Sequence, residues 1–261
     1  MPTATESGLL TVTNISIRFG GIIALDAISF EVPRGQIVGV IGPNGAGKTT
    51  LFNCLSRLYP CAAGQIQFNG RSLLAVPRHR VAALGIGRTF QSPALFRSMS
   101  VRDNIRLGYH CRGSSGFLAS ALRLPSVVRD EGASAEKAQE LLVLLDLVPL
   151  ASVQVSSLPF VTQKRVELAR ALAGAPTLLL LDEPASGLNH EEVRDLGALL
   201  MELRRLLGLT VLLVEHNMGL VMKVSDNVIA LQFGRKIAEG TPAEIRNHPE
   251  VIEAYLGRAQ V

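Results

Sequence analysis

Cysteine is scarce in this 261-residue chain. Cys54, Cys61 and Cys111 are the only three, and none forms a C-x-x-C pair. A disulfide framework is therefore not expected, and reduced thiols in a reducing compartment fit the pattern. Long apolar runs are also missing. Hydrophobic residues reach 48%, which raises the question of a membrane protein. Stretches such as Leu178 to Leu181 nevertheless fall far short of the ~20 residues that span a bilayer. The start, MPTATESG, lacks the basic-then-apolar order of a secretory signal, so the expected location is the cytosol. Nor is charge lopsided, since 26 basic against 22 acidic residues leave a formal +4. The cluster Arg78-His79-Arg80 with Arg88 has no long Lys/Arg tract around it. It reads as a solvated basic face, and no nucleic-acid partner is expected.

Two kinds of strand signal are present, with helices between them. LTVTNISIRF places Leu10, Val12, Ile15, Ile17 and Phe19 in near alternation, and AISFEV and QIQFNG do the same. That is the pattern of half-exposed antiparallel strands. Ile37 to Ile41, Leu178 to Leu181 and Val211 to Val214 are continuous apolar runs, as in strands covered on both faces of a parallel sheet. Asn189 begins a helix, with Glu192 completing an N-x-x-E cap and Leu196, Leu199, Leu200, Leu203 and Leu207 expected as its buried stripe. Thr241-Pro242-Ala243-Glu244 begins another, with proline at the first helical position. From about Ser92 to Val161 strand signals fade, and helical patterns such as Ala135 to Leu147 surround a loop at Gly113 to Gly116. This predicts a helical insertion in an α/β core, with no internal repeat.

The most specific signal is Gly42-Pro43-Asn44-Gly45-Ala46-Gly47-Lys48-Thr49, followed by Thr50. It satisfies G-x-x-x-x-G-K-[ST], with the apolar IVGVI before it and the helical TTLFNCLSRL after it. Glycines let the backbone curl so that successive N–H groups point at phosphate oxygens, and the new helix adds its positive N-terminus. Lys48 neutralises phosphate charge, and Thr49 offers a hydroxyl to Mg²⁺. A glycine-rich turn that binds nothing is the ordinary alternative, and the flanking strand and helix argue against it. Leu178 to Leu181 then delivers Asp182-Glu183-Pro184. Asp182 can bind Mg²⁺ directly or through a water, while Glu183 can direct an attacking water as general base. A third apolar strand ends in Glu215-His216. A lone histidine after a strand is more often structural, but at this edge of an open α/β sheet it is placed to meet a γ-phosphate. No N-K-x-D guanine-reading motif occurs, so a GTPase is not expected.

In that order the residues resemble the ATP-binding cassette ATPases over essentially the whole chain. Phe19 before Gly20-Gly21 matches the adenine-stacking aromatic, and Arg88-Thr89-Phe90-Gln91 matches the Q-loop. Leu178 to Pro184 matches Walker B, Ser186-Gly187-Leu188-Asn189 the D-loop, and His216 the switch histidine. Leu95-Phe96, Val214-Glu215-His216-Asn217-Met218, and the ending from Gly240-Thr-Pro-Ala-Glu-Ile through His248-Pro-Glu to Tyr255-Leu-Gly257 look like the branched-chain amino-acid importer subgroup, and its longer ATPase subunit. Importers of urea or other small polar solutes share these features. The resemblance implies a P-loop NTPase (RecA-like) core with an antiparallel β subdomain and an inserted helical subdomain. Residues 1–240 would form the cassette, with core 1–91 and 162–240 and the insertion at about 92–161; residues 241–261 would be a C-terminal helical tail.

It further implies ATP and Mg²⁺ as ligands, with Phe19 on adenine and Gly42 to Thr50 on the phosphates. Thr49, Gln91 and Asp182 would hold or orient Mg²⁺, Glu183 would be the base, and His216 would hold the γ-phosphate. Implied partners are transmembrane permease subunits, a second cassette subunit in a homo- or heterodimer and, indirectly, a solute-binding protein. The chain would lie peripherally on the cytoplasmic face of the inner (plasma) membrane. The family signature, usually LSGGQ, aligns with Leu158, Pro159, Phe160, Val161 and Thr162, which would meet the partner subunit's ATP. Proline and an aromatic here also occur in the subgroup. Val161 replaces a glycine that lets backbone approach a phosphate, and a β-branched side chain is expected both to obstruct that approach and to restrict φ. Two readings follow: an active ATPase subunit with a weakened signature, or an ATP-dependent clamp that serves its partner's site poorly.

Overall fold

The computed structural model describes residues 8–112 and 125–256; the opening residues, the loop expected at Gly113 to Gly116 and the terminal Gly257 lie outside them. Contacts divide the chain into two units, Met1–Val81 with Leu180–Val261, and Ala82–Leu179.

In the first unit, β1 (Leu10–Phe19), β2 (Ile22–Val32), β4 (Ala63–Phe68) and β5 (Arg71–Ser72) form an antiparallel sheet in the order β2-β1-β4-β5. Leu10 and Val12 are buried, but the next inward positions are Ile15 and Ile17. The register shifts between Val12 and Ile15, where Asn14 has φ 49° and donates its backbone N–H to Ser29 Oγ. One extra residue in β1 therefore resets the inward phase, as a bulge does, and asparagine tolerates the left-handed conformation.

The runs that are apolar throughout become β3 (Ile37–Ile41), β7 (Leu178–Asp182) and β8 (Thr210–Val214), each buried along its length. With β9 (Asn227–Gln232) and β10 (Arg235–Gly240) they follow the order β10-β9-β3-β8-β7. β3 runs parallel to both neighbours, with Val40 opposite Val214 and Ile41 opposite Ala230. The chain leaving β3 and the chain leaving β8 must therefore emerge at one edge. Glu183 N–H donates to the Val214 carbonyl at 2.9 Å, which brings the end of β7 to the same place.

Around these strands stand α1 (Lys48–Leu55), α5 (His190–Leu207), α6 (Met218–Val224), α7 (Pro242–Arg246) and α8 (Pro249–Leu256). Both expected caps form: Asn189 with Glu192, and Thr241 with Glu244, are reciprocal capping boxes. The α5 stripe differs from its sequence reading. Val193, Gly197, Leu200 and Leu203 are buried, whereas Leu207 is 44% exposed. Gly208 ends the helix at φ 61° and turns the chain, so that Leu209 goes inward instead.

The second unit is mainly helical. It contains β6 (Ile86–Arg88), α2 (Val101–Gly108), α3 (Pro125–Leu144) and α4 (Phe160–Ala173), and the segment expected as the helical insertion lies within it. Ser100 caps α2 by accepting from Asp103 N–H. Val101, Ile105, Leu141, Leu142, Val166 and Ala169 are buried at 0–1% exposure, each side chain larger than alanine contributing about 1.5–3 kcal/mol of burial. Asn104 is fully buried among them and satisfied, accepting from Phe96 N–H and donating to the Phe96 and Ser100 carbonyls.

Candidate functional site

The phosphate loop leaves β3 at Gly42 and ends in α1. Gly47 stands at the helix start with φ 102°, and the first helical bond is Leu51 N–H to the Gly47 carbonyl at 2.9 Å. The N–H groups from Gly47 to Thr50 therefore precede the helix ladder, and no side chain caps them. An end of this kind can accept an anion. Lys48 is folded back over the loop, donating to the Gly42 carbonyl at 2.7 Å and the Pro43 carbonyl at 3.1 Å. Burial pulls its ammonium below the ordinary lysine value, opposed by the charges of Glu183, Asp182 and Glu215. The loop from Asn44 to Thr50, with Ile22, Ile23 and Glu183, lines a cleft of about 270 Å³. Phe19 lies in the same unit at the end of β1, 45% exposed, its ring edge-to-face with Tyr59 at 5.1 Å between centroids. That packing fixes one edge of the ring, a role for Tyr59 that sequence reasoning missed.

At the ends of β7 and β8 the acidic residues divide their work. Asp182 is 4% exposed, while Glu183 sits at φ 47°, a left-handed conformation that strains a residue with a Cβ. The surroundings hold it there. Its N–H donates to Val214, its carbonyl accepts from Ser186 N–H at 3.1 Å, and the Ala185 N–H donates to Glu215 Oε1 at 2.6 Å. Glu215 is fully buried, and its Oε2 also accepts from the backbone N–H groups of His216 and Asn217 at 3.0 and 3.1 Å. One carboxylate thus fastens the turn after Glu183 and the backbone of His216. The sequence clue was a charged residue directly after a wholly apolar strand. His216 Nδ1 then lies 3.7 Å from Glu183 Oε2, with the histidine side chain 57% exposed.

Thr49 and Asp182 are hard oxygen donors. Among the described residues no group of three or more His, Cys, Asp or Glu side chains gathers. An ion here would take its remaining ligands from phosphate and water, which is the habit of Mg²⁺.

Gln91 and the signature segment belong to the second unit. Leu158 is buried at 8% exposure, while Phe160 is 42% exposed with Lys164 Nζ 5.2 Å from its ring centroid. The helix begins at Phe160, inside the segment aligned with the signature. Val161 therefore has helical dihedrals, outside the left-handed set, and the expected restriction of φ does not operate. Of the two expected effects, only that of its side-chain bulk is left. Glu167, missed by pattern reading, is 2% exposed and accepts from Phe90 N–H at 3.3 Å and Ala94 N–H at 3.1 Å through one oxygen. Arg170 Nη1 donates to the Ala94 carbonyl at 2.6 Å. The signature helix therefore grips the backbone on both sides of Gln91. Burial pushes the Glu167 carboxyl up, offset in part by those two N–H groups and by Arg170 and Lys164.

A family model described as ABC transporter matches residues 25–186, and a second, described as branched-chain amino acid ATP-binding cassette transporter, matches 235–260. The chain belongs to the ABC transporter family and is an ATP-binding cassette ATPase. Among its relatives it is 41% identical over 251 residues to the high-affinity branched-chain amino acid transport ATP-binding protein BraF of Pseudomonas aeruginosa, covering 96% of this chain and 98% of that protein. It is 42% identical, at the same coverage, to LivG of Salmonella typhimurium, which carries the same description. Among solved structures, the ADP conformation of MJ1267, an ATP-binding cassette of an ABC transporter, aligns with TM-score 0.83 and 31% identity over 95% of this chain and 98% of that one.

Proposed function

We propose that this chain is the ATP-hydrolysing subunit of an importer of branched-chain amino acids, docked on the cytoplasmic face of the plasma membrane against permease subunits. The observation that carries the catalytic half is the convergence of Lys48, Asp182, Glu183 and His216 at one sheet edge. For the solute, support comes from near full-length similarity to two branched-chain importer subunits and from the matching C-terminal segment. No helix among the described residues is long and apolar enough to cross a membrane, which fits a peripheral seat.

In this reading ATP lies with its adenine on Phe19 and its phosphates along Gly42 to Thr50. Lys48 has three donors, and two already brace the loop, so the third is directed to phosphate. Mg²⁺, held by Thr49 and Asp182, would neutralise charge on the phosphate oxygens. Glu183 takes a proton from water as the water oxygen bonds to the γ-phosphorus and the bond to the β-bridging oxygen breaks, leaving ADP and phosphate. His216 holds the γ-phosphoryl group in line. The segment Leu158 to Thr162 faces the nucleotide of a second cassette, and the clamp reading survives only through the bulk of Val161.

Reconstitution with the membrane partners in vesicles tests the proposal. ATPase stimulation by leucine, isoleucine or valine supports it. A response confined to urea, methionine or other unrelated solutes would overturn the solute assignment and leave the ATPase reading intact.

A further inference from the structure

The first residue of the phosphate loop is held by the last helix described. Gly42 N–H donates to Tyr255 Oη at 2.8 Å, across 213 residues of sequence. Gly42 has no room to adjust on its other sides. At φ 153° its Cα faces the Leu231 carbonyl so closely that a Cβ would sit 2.3 Å from that oxygen, and its own carbonyl accepts from Lys48 Nζ. The N–H is the remaining handle on this residue, and α8 holds it. Burial raises the Tyr255 phenol above its ordinary value, so the group stays neutral and the oxygen remains an acceptor at physiological pH. Val251, one turn earlier on α8, is 3% exposed and Ile245 on α7 is 1% exposed, which seats the C-terminal helices against the unit.

We propose that Tyr255 is a positioning residue for the nucleotide: α8 latches the start of the phosphate loop through Gly42, so that the seating of this helix and nucleotide affinity are coupled. The inference rests on the reading of Gly42 to Thr50 as the phosphate site. Lys48 is shared between the loop and the incoming phosphate, whereas Tyr255 serves the loop alone and keeps it in its binding shape. Without the phenol oxygen the loop populates other shapes, and apparent affinity falls by the fraction of loops left competent. By reciprocity, bound nucleotide tightens α8.

The test is Tyr255→Phe in the full chain, which keeps the ring and removes the acceptor. ADP affinity by calorimetry is expected to weaken about three- to tenfold, KM for MgATP to rise in parallel, and kcat at saturation to stay within about twofold. Amide exchange at Gly42 should accelerate, and ADP should slow exchange in α8 of the parent more than in the variant. A purely structural tyrosine predicts the reverse: a lower melting temperature without nucleotide and unchanged ADP affinity, and that result overturns the inference. If the parent itself binds no ADP, the phosphate-site reading falls with it; if parent and variant bind alike, only the role of Tyr255 does.

Discussion

Replacing Glu215 with glutamine should weaken the fold and the chemistry together. The carboxylate accepts three backbone N–H groups in full burial, one on Oε1 and two on Oε2. A carboxamide offers a single acceptor oxygen. Turned toward His216 and Asn217, it sets its NH₂ against the Ala185 N–H; turned the other way, it abandons two bonds. Hydrogen bonds to a charged acceptor are worth roughly 1.5–3 kcal/mol each, and an unsatisfied buried donor costs about 1–3 kcal/mol. One lost bond plus the residual mismatch gives about 2–4 kcal/mol, a large share of the roughly 5–15 kcal/mol that holds a native domain. With a urea slope of roughly 2–3 kcal/mol/M, the unfolding midpoint should fall by about 0.7–2 M. Because Ala185 lies two residues after Glu183, with Pro184 between them, the turn that imposes the strained Glu183 conformation also loosens. Turnover should then drop about 10²-fold, the scale of a misplacement near 1 Å. ADP binding, which depends on the loop braced by Lys48, should change less than threefold, by order of magnitude from a site left intact. A glutamine variant that unfolds within about 0.3 M of the parent and retains its kcat would refute the assignment of Glu215 as the fastener.

Three further outcomes are expected. Glu183→Gln should bind nucleotide normally and lose turnover about 10²–10⁴-fold in single-turnover assays; unimpaired hydrolysis would remove Glu183 as the base. Val161→Gly should raise the ATPase rate of the purified chain severalfold while costing up to about 1 kcal/mol in helix propensity, and an unchanged rate from an already ordinary level would end the obstruction argument. Glu167 carries a pH signature: burial raises its folded value above the unfolded one, so its stabilisation is full below the ordinary carboxylate range and is lost as pH rises through the folded value. Glu167→Gln keeps an acceptor for Phe90 and Ala94 without the charge. Its melting temperature relative to the parent should therefore be higher at pH 8 than at pH 5, by roughly 2–4 °C per kcal/mol, and a difference independent of pH would contradict the burial argument.

What pattern reading captured was local. The phosphate loop, the buried strands and both capping boxes depend on residues within a few positions of one another, and each stands where its spacing predicts. The bulge at Asn14 was visible only as an imperfect alternation. Leu207 was misjudged because helical periodicity carries no information about where the chain turns away at Gly208. Glu215, Glu167 and Tyr255 escaped for a common reason. Each has a partner 30, 77 or 213 residues away, and although Glu215 stands out after an apolar strand, neither carboxylate nor the phenol shows what it fastens until those partners are in place.

The β9–β10 turn carries the same lesson into the cell. Gly234 donates its N–H to the Ala46 carbonyl and accepts from Asp26 N–H, so the turn joins the antiparallel sheet to the phosphate loop. A chain growing on a ribosome displays its glycine-rich motif early, but the groups that hold it, the Gly234 peptide N–H and the Tyr255 phenol, arrive late. At roughly 5–20 residues per second, the 213 residues between Gly42 and Tyr255 take about 10–40 s to make. Through that interval the growing subunit carries its nucleotide motif without the Gly234 and Tyr255 contacts that complete it.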